Sequence, residues 1–141
     1  MRQAGETIRI SVKLTDTASL SEVWNENYDK NISKMVDLYF RKQINNILLV
    51  VPKDLSFDKR LKGDFNLINE KLTKDNNKNF IYTGCQIINK NIFSKITKKK
   101  FSMNEIWNSQ LKESRLFAYE SNIEFLHVTD LEIYNKILKN Q

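Results

Sequence analysis

The stretch Asn79-Phe80-Ile81-Tyr82-Thr83-Gly84-Cys85-Gln86-Ile87-Ile88-Asn89 decides how the rest of the chain reads. Phe80, Ile81, Tyr82, Ile87 and Ile88 favour a strand. Gly84 interrupts it, and a glycine inside a strand pattern marks a bulge or a close approach to the backbone. Upstream, Ile47-Leu48-Leu49-Val50-Val51 is an uninterrupted apolar run closed by Pro52, the only proline. Such runs suit strands covered on both faces, which predicts α/β architecture. Between the two strands, Lys53 to Lys62 reads as a basic, irregular connection. Gly63 to Ile68 reads as a strand opening on a glycine, and 69–78 as a loop or hairpin tip.

Downstream, Ile92 to Ile96 forms a short apolar turn and Lys98-Lys99-Lys100 a solvated approach to a helix. Ser102 and Glu105 have capping-box spacing, which predicts a helix from Met103 to about Glu113, with Ile106, Trp107 and Leu111 inward. Leu116 to Tyr119 and Ile123 to Val128 read as short strands. Thr129 and Glu132 form a second capping box, for a last helix burying Leu131, Tyr134, Ile137 and Leu138. Toward the N-terminus, Ile32, Met35, Val36 and Tyr39 fall on one face of a helix from Tyr28 to about Lys42. Ser19 and Glu22 have capping spacing, and Ile8 to Leu14 alternates as a half-exposed strand does.

With 141 residues, the expectation is a single domain, 1–141. Apolar content of 40% and charged content of 28% fit a globular protein. No apolar run reaches a membrane span of roughly 18 residues, so no membrane partner is expected. The first residues lack the apolar centre of a signal peptide, and the one cysteine, Cys85, forms no internal disulfide. A cytoplasmic setting is expected. The net charge of +6 comes mostly from Lys. Arg is scarce and the basic residues are not interleaved with aromatics, which weighs against a nucleic-acid partner.

One His and one Cys cannot build a zinc site of the usual N/S kind. There is no P-loop and no Gly-x-Gly-x-x-Gly, and Gly5 is the only glycine in the first fifty residues. His127, between Leu126 and Val128, reads as a satisfied strand histidine. Tyr82, Thr83 and Gly84 offer two hydroxyls and room beside them, which suits a polar, ring-shaped ligand. On sequence alone, structural strand residues remain the slightly favoured reading.

In order and spacing, several blocks resemble the C-terminal portion of bacterial sugar-1-phosphate nucleotidyltransferases. The nearest branch is similar to N-acetylmuramate-1-phosphate uridylyltransferase and mannose-1-phosphate guanylyltransferase-like enzymes. The blocks are Ile47–Pro52, Lys62–Leu67, Phe80–Ile88, Phe101–Trp107, Leu116–Tyr119 and Phe125–Glu132, with Trp24–Tyr28 upstream. Residues 21–141 carry the resemblance, and 1–20 are unmatched. It implies a truncated Rossmann-like nucleotidyltransferase fold, with a mixed, mostly parallel sheet and flanking helices. It also implies a reaction of nucleoside triphosphate with sugar 1-phosphate, releasing pyrophosphate with Mg²⁺. The family's sugar-side contacts fall on Gly63, Asp64, Thr83 and Gly84.

The family's glycine-rich nucleotide loop has no counterpart here. Ser21 and His127 stand where the family has its two magnesium-binding Asp residues, leaving Asp16 and Glu22 as candidate metal ligands. The resemblance thus implies a form that keeps the sugar-phosphate side, takes nucleoside triphosphate only with an N-terminal half supplied, and is of uncertain activity alone. The alternatives are a basic nucleic-acid-binding module and a non-catalytic interaction half of a split enzyme.

Overall fold

The computed structural model describes residues 8–11 and 21–140, with side chains described from residue 29. The elements run β1 (Ile8–Ser11), α1 (Ser21–Arg41), β2 (Asn46–Pro52), β3 (Asn66–Ile68), β4 (Lys71–Thr73), β5 (Phe80–Asn89), α2 (Met103–Lys112), β6 (Phe117–Glu120) and α3 (Leu131–Lys139). Short 3₁₀ turns follow β2 and β5, at Lys53–Leu55 and Lys90–Lys95.

The six strands form one sheet in the order β1-β5-β2-β6-β4-β3. The expected α/β class, mixed sheet and flanking helices are present. The expected parallel majority is not. β2 and β6 pair in parallel, while β1–β5, β5–β2, β6–β4 and β4–β3 are antiparallel. Connection length accounts for one of these antiparallel pairs. β3 and β4 are joined by a two-residue turn, which permits only an antiparallel pair. A long crossover through α2 separates β2 from its parallel neighbour β6.

β2 is the centre of the packing because it is apolar at every position from Ile47 to Val51. Its alternate side chains go to opposite faces. Ile47 and Leu49 join Met35, Leu38, Tyr39, Cys85 and Ile87 under α1. Leu48 and Val50 join Phe65, Leu72, Leu116 and Ala118 on the face that α2 covers with Trp107 and Leu111. Phe65, just before the edge strand β3, pairs with Phe80 at the start of β5. The sheet therefore curls until its far side touches β5, and encloses the second cluster.

Other expectations are corrected by local competition. Ile123 to Val128 forms no strand. Phe125 makes one isolated bridge to Ser56, donating its N–H to the Leu55 carbonyl at 2.8 Å and accepting from the Phe57 N–H at 3.0 Å. His127 stacks on Phe125 at 5.5 Å between ring centroids and so is not a strand histidine. The last helix is capped by Asp130, whose carboxylate accepts from the Ile133 N–H, rather than by Thr129. Ile133 and Ile137 are its buried residues, whereas Leu131 and Leu138 are exposed. The Ser102 cap is as expected. The stretch 69–78 contains the short strand β4 rather than loop alone. The proposed cap at Ser19 and the strand extension to Leu14 lie outside the described residues.

Candidate functional site

The bulge at Gly84 is the first local cause. Along β2 the pairing advances from Leu48 to Val50, while along β5 it moves from Gln86 to Tyr82. Thr83, Gly84 and Cys85 therefore lie opposite Leu49 alone. Gly84 has φ 90°, a conformation that side-chain-bearing residues rarely adopt. The Thr83 hydroxyl donates to the Leu49 carbonyl at 3.0 Å, replacing the ladder bond that the bulge removes.

Gly63 and Asp64 lie alongside. The Asp64 N–H donates to the Phe80 carbonyl at 2.8 Å, and the Tyr82 N–H donates to Asp64 Oδ2 at 2.9 Å. A Cβ on Gly63 would stand 1.8 Å from the Lys78 carbonyl oxygen, so only glycine fits this backbone crossing. The four residues expected on the sugar side thus come from β5 and from the segment leading into β3, which hydrogen bonds at Asp64 tie to Phe80 and Tyr82. All four also have structural duties. Asp64 is exposed, and its second carboxylate oxygen makes no hydrogen bond among the described residues.

Tyr82 turns the other way. Its ring meets Trp107 edge-on at 5.0 Å, and Trp107 Nε1 donates to Gln86 Oε1 at 3.3 Å. Burial, with the nearby Cys85 adding to it, holds the Tyr82 hydroxyl protonated well above the usual phenol range. Tyr82 is part of the α2-side core.

Asp16 lies outside the described residues, and the Glu22 side chain is likewise not described. His127 is engaged with Phe125. Among the described residues, no three His, Cys, Asp or Glu side chains come together as a metal site.

A cluster that the sequence reading missed ties the 53–62 connection to α3. Asp58 is buried, and its carboxylate accepts from Arg60 Nε at 2.9 Å, Arg60 Nη2 at 3.0 Å and the Thr129 hydroxyl at 2.6 Å. Arg60 also reaches Asp130 Oδ2 at 2.8 Å. The Arg60 and Thr129 hydrogen bonds hold Asp58 ionised far below the ordinary carboxylate range, and the fork geometry suits a planar guanidinium. Asp130 is lowered too, first by the Ile133 N–H that it caps and then by Arg60.

Away from these groups, a cavity of about 600 Å³ opens between α1, the β3–β4 turn and the carboxyl end of β6. None of Gly63, Asp64, Thr83 and Gly84 lines it.

Against known proteins, the chain matches no family profile and no curated protein. Among solved structures it is similar to a Bacillus anthracis chain provisionally named a glucose-1-phosphate thymidylyltransferase, in complex with a sucrose. Sequence identity is 22% and the TM-score 0.44, over 60% of this chain and 38% of that one. The match thus spans well under half of that protein's length. No helix among the described residues is long and apolar enough to cross a membrane.

Proposed function

We propose that this chain is the sugar-phosphate-binding part of a sugar-1-phosphate nucleotidyltransferase-type domain, binding its ligand at Gly63, Asp64, Thr83 and Gly84. The observation that carries the reading is the pairing of Gly63–Asp64 with β5, through the Asp64–Phe80 and Tyr82–Asp64 hydrogen bonds. Those bonds fix Asp64 beside Phe80 and Tyr82, next in sequence to Thr83 and Gly84, and leave one Asp64 carboxylate oxygen open. The order and spacing of the resembling blocks support the same reading.

In this reading the chain supplies positioning, which is most of what a protein contributes to phosphoryl chemistry. Asp64 and the backbone around Gly84 orient the sugar. The triphosphate and its Mg²⁺ depend on groups that a separate segment provides, so these 141 residues bind sugar 1-phosphate without transferring a nucleotide. Two measurements test this. Amide shifts on adding hexose and N-acetylhexosamine 1-phosphates are expected at residues 63–64 and 82–84. Shifts elsewhere, or none, refute the site. Pyrophosphate release from UTP or GTP with Mg²⁺ is expected to be absent. Turnover near the roughly 10 s⁻¹ of ordinary enzymes would overturn the claim that a second segment is required.

A further inference from the structure

We infer that the cavity beside α1 is a second binding site, for a small zwitterion such as an amino acid or dipeptide. Its volume of about 600 Å³ lies within the range of small-molecule pockets, roughly 300–1,000 Å³. Lys34, Asp37 and Arg41 line one wall at i, i+3 and i+7 of α1, a spacing that keeps all three on one face. Tyr119 and Glu120 line the strand wall, at the carboxyl end of β6.

Charge pairing narrows the ligand class. The lining includes a third carboxylate, Glu70, but Lys42 at the end of α1 pairs with it. That ion pair ties α1 to the β3–β4 turn. Glu70 is further fixed by its carbonyl, which accepts from the Ala118 N–H at 2.9 Å. What remains is two cations, Lys34 and Arg41, and two carboxylates, Asp37 and Glu120. None of these four makes an ion pair or a side-chain hydrogen bond among the described residues. Two unpaired charges of each sign disfavour a polyanion such as a nucleotide or sugar phosphate, which the carboxylates would repel. They suit a ligand whose carboxylate meets the Arg41 fork and whose ammonium meets Glu120. Half-buried Leu67 and Phe80 in the lining supply apolar surface for its body.

The backbone of this wall is held in an uncommon form. Asn69 and Glu70 both have positive φ, 49° and 65°, in a turn where glycine would relieve the second. Keeping Glu70 there holds the side chain that Lys42 binds.

The test is amide shift mapping on the full chain with glycyl-tyrosine, its N-acetylated amide, maltose and inorganic pyrophosphate. Saturable shifts at residues 34–41 and 118–120 are expected with glycyl-tyrosine and not with the other three. Arg41→Gln and Glu120→Gln, both at exposed positions, should each weaken that binding about tenfold, as loss of one charge-assisted hydrogen bond does. The inference is overturned if the dipeptide leaves these amides unmoved at millimolar concentration. It is also overturned if the capped dipeptide, maltose or pyrophosphate binds equally well there, or if both variants bind like wild type. The readout is separate from residues 63–64 and 82–84, so the two sites stand or fall independently.

Discussion

Gly63→Ala puts the backbone crossing at Lys78 to a direct test. The new Cβ would lie 1.8 Å from the Lys78 carbonyl oxygen and 2.4 Å from its carbon, where 3.0 Å is the shortest approach that real structures tolerate. One of the two segments must retreat by about 1 Å or more. The obstacle is backbone, so shortening the Lys78 side chain gives no relief. Three backbone hydrogen bonds hold the segments together, Asp64 to Phe80 at 2.8 Å, Phe65 to Phe80 at 3.2 Å and Phe80 to Phe65 at 2.9 Å. A retreat of that size breaks them or stretches them beyond use. At a net 0.5–1.5 kcal/mol each, the loss is roughly 2–4 kcal/mol. Phe65, 2% exposed in the core, is anchored by the same bonds and adds to the loss if it shifts. With a urea m-value of about 1–3 kcal/mol/M for a chain of this size, the midpoint should fall by about 1–2 M. Equilibrium urea unfolding followed by circular dichroism measures it. A midpoint within about 0.3 M of wild type, at unchanged m, would refute the crossing.

Two further outcomes follow from the same geometry. Thr83→Val removes the hydroxyl that satisfies the Leu49 carbonyl at the bulge and should cost about 1–3 kcal/mol, whereas Thr83→Ser should be close to wild type; equal losses in urea unfolding would mean that the hydrogen bond at 3.0 Å is not what stabilises the bulge. Asp58 and Asp130 have native pKa values below their ordinary 3.8, so the unfolded chain binds more protons and their stabilising contribution, full above that value, is lost as pH falls below it. Thermal melts from about pH 6 to about pH 2.5 should therefore show a steep acid decline in wild type and a shallower one in Asp58→Asn; parallel curves would contradict the assignment.

How much of this was legible follows from how far apart the partners lie. The core strand β2 was readable because five consecutive apolar residues need no partner to identify them. Gly84 was readable as an interruption, and the structure resolves it as a bulge. β4 was not readable, because Lys71-Leu72-Thr73 has one apolar residue and its strand character comes from pairing with β3 and β6. The Asp58 cluster was hidden for a related reason. Asp58 sits in a charged connection that looks solvated, and its Thr129 partner is 71 positions away. The same contact explains the displaced start of α3. Thr129 gives its hydroxyl proton to Asp58, and the capping role passes to Asp130. In the sheet, the apolar patterns marked strands covered on both faces, but strand direction depends on connections that patterns do not record.

The structural duties of the four sugar-side residues also constrain how they meet a ligand. The Thr83 hydroxyl proton is committed to the Leu49 carbonyl, which leaves that oxygen only lone pairs to offer. The open oxygen of Asp64 is likewise an acceptor. Gly63 and Gly84 have no side chain. Every side-chain group at the proposed site therefore accepts, and a phosphate accepts too. Sugar hydroxyls can donate to Asp64 and Thr83, but the phosphate must be met by backbone N–H groups or by cations from elsewhere. In the proposed reading, the sugar end alone should engage these residues. Glucose and glucose 1-phosphate should shift the Asp64 and Thr83 amides alike, with the phosphate changing the affinity more than the pattern. If inorganic phosphate by itself moved both amides as strongly as the sugar does, the acceptor-only description of the site would be wrong.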